Sequence, residues 1–308
     1  MAIAWALLAA CGGGTADGNP TAPDDSDLPP LPDCDVGALG ATGAVHYVCD
    51  CGAGADADCV AGDDANNGTD AAHPQRSYEA ARVAFGALAA GETVALCRGG
   101  AFTAGTSDRW VNGSCRADNP CFVRPYDASW ASGDEARPIL RLEGDGSVFA
   151  FEDGGSPEHE EGYTLLDLDL EGSGQGWAIF VYNDADDITM CGFVINNFSI
   201  GVHVAGSNAP IDASSDGRNA RIVLRSSRVT NNEGMGWLGG GDGCAVEGTQ
   251  FDNNGFGQAV FNHNIYFSSG SGIAVGMRAV GNDLYRSAFI DGTCQGVSLV
   301  VHGEHDGL

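Results

Sequence analysis

The chain has 308 residues, of which 43% are hydrophobic, enough apolar material for a large core in one domain or two. Its formal charge of −28 comes from 42 acids against 14 bases, and every base is arginine, because no lysine occurs. That balance lacks the basic surface that phosphate contacts require and excludes a nucleic-acid partner, while repelling anionic glycans at long range unless a cation or a local arginine cluster intervenes.

Residues 1–11 read as a targeting segment. Ala2 to Ala10 is an apolar run too short to span a bilayer, and Leu8-Ala9-Ala10-Cys11 resembles the lipobox of bacterial lipoproteins, which implies a lipidated Cys11 and an extracellular or cell-envelope protein on a lipid anchor. No basic residue precedes the run, so a few upstream residues are expected to be missing. Residues 12–45 follow as a disordered tether: Gly12 to Asp35 holds five of the chain's eleven prolines among glycine, alanine and aspartate, with few large apolar groups.

Setting Cys11 aside leaves ten cysteines, an even number suited to disulfides in an oxidising compartment. A zinc site is disfavoured, since Cys49-Asp50-Cys51 lacks the two-residue spacer and no histidine pair follows at finger spacing. Cys115 and Cys121 are the best single pairing, because Asn119-Pro120 between them lets the chain turn back. Cys191, Cys244 and Cys294 are expected to fill core positions.

From Ser77 to Leu88 the apolar residues Tyr78, Ala81, Ala84 and Leu88 fall at helical spacing, with Ser77 as N-cap, Glu79 in the first turn and Gly91 just past the end. Beyond it a figure recurs: a short apolar run, one or two asparagines, then glycine. It occurs at Val194-Ile195-Asn196-Asn197, Val229-Thr230-Asn231-Asn232, Phe251-Asp252-Asn253-Asn254 and Ala279-Val280-Gly281-Asn282. The intervals from Asn197 to Asn232, Asn254 and Asn282 are 35, 22 and 28, as expected of a unit of about 22 residues carrying loops of varying length. Each unit alternates apolar with polar or small residues (Ile200, Val202, Val204; Ile273, Val275, Met277), the period of a strand with one buried face. Asparagine tolerates the left-handed bend, and its amide can bond to the coil above. Together these imply an all-β chain: a single-stranded right-handed parallel β-helix over residues 46–308, with the short helix as N-terminal cap and Asn197, Asn232 and Asn254 stacked at equivalent bends. The last segment, Val300 to Leu308, reads as the start of another coil, so the chain is expected to be truncated there.

The entry segment carries a family resemblance. Gly62-Asp63-Asp64-Ala65-Asn66-Asn67-Gly68-Thr69, His73-Pro74, Ser77-Tyr78-Glu79-Ala80-Ala81, Gly91-Glu92-Thr93-Val94-Ala95-Leu96 and Arg98-Gly99-Gly100, with Asn262-His263-Asn264-Ile265-Tyr266 later, resemble secreted right-handed parallel β-helix proteins of the pectate-lyase-like superfamily. The resemblance runs from about Val48 to the last residue. It implies the fold; for function it implies lyases, hydrolases, epimerases or binding proteins, all of which this scaffold hosts.

Strand parity then nominates side chains. With Ile200, Val202 and Val204 inward, His203 points out; with Ile265 and Phe267 inward, Asn264 and Tyr266 point out; with Val297, Leu299 and Val301 inward, His302 points out. His263 is turned inward unless a bend precedes Asn264. A lyase acting on a uronate-containing glycan must neutralise a carboxylate, take the proton alpha to it and protonate the leaving oxygen. Without lysine, the base would be His, Tyr or Arg, from His263, Tyr266, His302 and His203, and Arg278 would meet the carboxylate if a bend follows Met277. The resemblance also implies calcium in that role, for which Asp184, Asp186 and Asp187 offer oxygen ligands. A hydrolase would need two carboxylates, from Asp242, Glu247, Asp252, Asp283, Asp291 and Glu304; the paired aspartates, Gly-His-Gly and Arg-x-Lys of polygalacturonases are not found. A third reading is a monomeric, lipid-anchored surface protein that binds an extracellular polysaccharide or a partner without turnover.

Overall fold

The alternating runs settle into strands of three parallel sheets, and the chain visits the sheets in rotation. The computed structural model describes Cys34, Ala41 and residues 43–105, 109–153, 160–206 and 217–308; Leu8 to Cys11 and the tether up to Cys34 lie outside the described residues. One coil shows the pattern. Asp186–Cys191 lies in the eight-stranded sheet B, Val194–Asn196 in the seven-stranded sheet C and Ile200–Ala205 in the six-stranded sheet A, before Ala220–Arg225 returns to sheet B directly above Asp186–Cys191. This is a parallel β-helix, as the sequence predicts.

The core is made of inward rows one coil apart. Phe102, Leu140, Leu170, Ile195, Val229, Phe251 and Leu284 occupy one register position of sheet C, so each rung buries its apolar side chain against the next. The helix, Tyr78–Ala87, closes the first coils as expected: Ser77 Oγ accepts from Ala80 N at 3.0 Å, and Tyr78, Ala81, Ala84 and Phe85 are buried. Phe85 packs on Trp110 and Tyr163 with ring centroids 5.3 and 4.9 Å away.

The asparagine ladder exists, with a shift of one residue from the expected alignment. Asn232 and Asn254 stack inside: Asn232 Nδ2 donates to Asn254 Oδ1 at 2.8 Å, and Asn254 Nδ2 donates to Asn264 Oδ1 at 2.9 Å. Asn197 belongs to a separate outer row with Asn231 and Asn253, all left-handed (φ 64°, 55° and 52°). The rung below Asn232 is filled by Phe198, whose N–H donates to Asn232 Oδ1. Asn196-Asn197 and Asn231-Asn232 thus count from different ends of the same bend.

Cys115–Cys121 is a disulfide, with Cys49–Cys97 and Cys51–Cys59 near the entry. Cys191 is not core filling: it bonds Cys34, tying that residue of the N-terminal segment to sheet B. Cys294 is disulfide-bonded as well, whereas Cys244 is a buried thiol.

Candidate functional site

Sheet A carries its apolar residues inward, which leaves a row of outward side chains across the coils. Phe180, His203, Leu238, Tyr266 and Val300 occupy one register position, and Trp177, Ile200 and Met235 occupy another nearer the strand starts. On the Trp177–Tyr182 strand three aromatic rings stack in sequence, Trp177 to Phe180 at 4.6 Å and Phe180 to Tyr182 at 4.7 Å.

Three of the residues nominated from sequence come together at the far end of this face. The expected parity fails at Asn264, which is fully buried because the asparagine ladder takes it inward. His263 is buried as well, 5% exposed, and stacks on Tyr266 with the rings nearly parallel (12°) and 5.8 Å apart. His302, exposed and in register with Ser268, completes the ladder at 6.1 Å from Tyr266. His263 Nδ1 lies 3.0 Å from the Val297 carbonyl. A carbonyl only accepts, so Nδ1 is assigned the proton and Nε2 keeps its lone pair. Burial lowers the His263 pKa, and the Val297 bond opposes this only in part. The ring is therefore neutral at neutral pH and chemically a base.

His203 points outward as expected but does not join this group, because Leu238 lies between it and Tyr266 in register. Its ring packs between Trp177 (5.6 Å) and Phe180 (5.3 Å), and burial lowers its pKa to about 4. It acts as one more ring of the aromatic cluster. Arg278 is outward but on sheet B, where it donates to Glu247 Oε1 at 2.7 Å; that sheet is not the one carrying Tyr266.

The aspartates do not fit calcium. Arg221 bonds Asp187 at 2.6 Å and Asp186 at 3.0 Å, while Ala220 N donates to Asp186 Oδ1 and Arg218 N to Asp184 Oδ1. Hard-cation sites need several free oxygens converging on one point. Among the described residues, the one group of three whose ligand atoms lie within 4.8 Å of one another is Cys49, Cys59 and Cys97, and those sulfurs are in disulfides. Burial raises the Asp186 pKa to about 7, against the pull of Arg221. Of the hydrolase candidates, Asp252 pairs with Arg286, Glu247 with Arg278 and Asp242 with Arg218, and none of Asp242, Glu247, Asp252, Asp283, Asp291 and Glu304 lines the groove described next.

That groove is not foreseen by sequence reasoning. Two cavities, of about 350 and 450 Å³, adjoin along the starts of the sheet A strands and share Ser199 and Glu233. Asp145, Gln175 and Trp177 line the first; Ile200, Met235, Leu238, Gln258 and Asn262 line the second. Asn262, at the far end of the second cavity, precedes His263 in the chain, but His263, Tyr266 and His302 line neither cavity. Parity along Trp177-Ala178-Ile179-Phe180-Val181-Tyr182 sets Phe180 and Tyr182 on the outer face but would turn Trp177 inward with Ile179 and Val181, so it gives no signal for this groove.

No protein-family model and no curated protein matches the sequence. Among solved structures the chain is similar to an alginate lyase from Paenibacillus sp. str. FPU-7 (14% identity over 77% of this chain and 73% of that one, TM-score 0.45). It is similar also to a rhamnogalacturonan lyase (14% identity, 79% and 75%, TM-score 0.43) and to pectate lyase Pel9A (13% identity, 78% and 56%, TM-score 0.41). These likenesses are distant, and the β-helix rests on the chain's own strand pairing.

Proposed function

We propose that the protein acts on an extracellular polysaccharide laid across the coils along the outer face of sheet A. The observation that carries this is the groove itself: two adjoining cavities cross successive coils on the face that also carries the stacked rings of His263 and Tyr266, and Asn262 of its lining precedes His263. Coils repeat every ~4.8 Å, so consecutive sugars of one chain meet side chains from consecutive coils. In the catalytic form of this reading the protein is a lyase cleaving a uronate-containing glycan by β-elimination, with His263 and His302 moving the alpha proton and Tyr266 protonating the leaving oxygen. The disulfides support an oxidising location outside the cytoplasm, and lipidation at Cys11 would hold the chain at the envelope as a monomer.

The second reading, glycan binding without turnover, is favoured by one specific observation. None of the fourteen arginines is among the described residues that line the groove, so no side chain there neutralises a substrate carboxylate. Incubation with a panel of uronate polymers, monitored by the absorbance of the unsaturated product, separates the two. For a lyase, Tyr266→Phe and His302→Ala each lower turnover ~100-fold while binding survives. Wild-type rates in both variants overturn the proton-transfer assignment, and no product from any uronate polymer leaves the binding form.

A further inference from the structure

Resting on the binding form of the polysaccharide reading, and against its lyase form, we infer that the groove selects a neutral glycan and rejects polyuronates. The charged side chains that line it are Asp145 in the first cavity and Glu233 in both. A polyuronate brings one carboxylate per sugar into this same space, and the −28 charge of the whole chain repels it before contact. With no cationic side chain among the described residues of the lining, a uronate carboxylate would exchange water for neutral donors such as Gln175, Ser199, Gln258 and Asn262 while facing the repulsion of Asp145 and Glu233.

A neutral sugar meets a complementary surface. Its hydroxyl groups donate to the carboxylates of Asp145 and Glu233, and charge-assisted bonds of this kind are stronger than neutral ones. Its C–H faces pack on Trp177, Ile200 and Met235. The Trp177 ring is held in place on the protein side by Phe180 at 4.6 Å and by the neutral His203 at 5.6 Å. An apolar wall with a few placed polar groups is the usual make-up of a small-molecule site. Glu233 sits at the junction of the two cavities, so a glycan spanning both passes it.

The test is calorimetric titration of the full chain with xylohexaose, mannohexaose and cellohexaose, and with the hexamers of galacturonate and mannuronate, at about 20 mM and about 0.5 M salt. At least one neutral hexasaccharide is expected to bind with an affinity that salt leaves unchanged, and ~10-fold or more tighter than either uronate at low salt. Trp177→Ala should weaken that binding at least ~10-fold, with Met235→Ala as a second variant and thermal melts showing that both fold. Glu233→Gln gives a signed readout: it weakens a neutral glycan, which loses a charged acceptor, and strengthens a uronate, which loses a repulsive neighbour. A uronate that binds more tightly than all three neutral sugars overturns the inference and leaves the polysaccharide reading standing. Failure of all five sugars to bind removes both.

Discussion

Asn254 illustrates how much a single amide carries in this fold. Its side chain donates to Asn264 Oδ1 and to the Val229 carbonyl, both at 2.9 Å, and accepts from Asn232, all in the fully buried interior. Asn254→Ala strands those partners where water cannot reach them, at a cost of about 2–4 kcal/mol; urea unfolding is expected to show a lower midpoint with an unchanged slope. Two half-buried groups respond to pH in opposite directions. His203, lowered to about 4, binds fewer protons folded than unfolded between that pH and its usual 6.5, so its stability is whole above 6.5 and is lost as pH falls through 4. Asp186, raised to about 7, binds more protons folded than unfolded; its penalty is absent below its usual 3.8 and complete above 7. Asp186→Asn should therefore gain melting temperature relative to the parent as pH rises from 4 to 8, and a gap that stays constant with pH would refute the raised pKa.

At the scale of an element, the capping helix shows a local signal completed by a distant one. Its start is written in Ser77 and in the spacing of Tyr78, Ala81 and Ala84, and its N-cap bond is made as read. Its end is held from elsewhere as well: Asn112 Nδ2 donates to the carbonyls of Phe85 at 2.6 Å and Leu88 at 2.9 Å, the first of which also accepts from Leu88 N at 3.2 Å. No rule of spacing connects Asn112 to that helix, because the strands Thr93–Cys97 and Ala101–Thr103 intervene in the chain. Asn112→Ala is expected to cost about 1–3 kcal/mol and Ser77→Ala about 1 kcal/mol. The two effects should differ in hydrogen exchange, with the first opening the last turn of the helix and the second its first turn.

Across the whole molecule, charge governs how stability responds to the surroundings. Forty-two acids face fourteen arginines, and the arginines are largely committed to ion pairs such as Arg98–Asp167, Arg137–Asp167, Arg141–Glu171 and Arg221–Asp187. The remaining carboxylates repel one another across the surface, and salt shortens the reach of that repulsion from ~30 Å at 0.01 M to ~3 Å at 1 M. Melting temperature is expected to rise with sodium chloride over this range by about 3 °C, the shift that ~2 kcal/mol produces at an unfolding entropy of ~2.1 cal/mol/K per residue. A flat or falling curve would mean that the exposed ion pairs outweigh the repulsion.

What this sequence determines by itself is what depends on neighbours along the chain. A period of two sets one face of each strand inward, asparagine and glycine mark the left-handed bends, and a serine with apolar residues at helical spacing starts a helix. From these the β-helix, its cap and the Cys115–Cys121 bridge follow. Register is different, because it depends on how many residues each loop consumes before the next strand begins. The three-dimensional structure alone decided that Asn197 stacks with Asn231 and Asn253, that Cys191 meets Cys34, and that Arg278 lies on sheet B while His263, Tyr266 and His302 meet on sheet A. The groove between Trp177 and Gln258 has the same origin: it is made by residues one coil apart, and their distance in space is set by the hydrogen-bonded stacking of coils, whatever their distance in sequence.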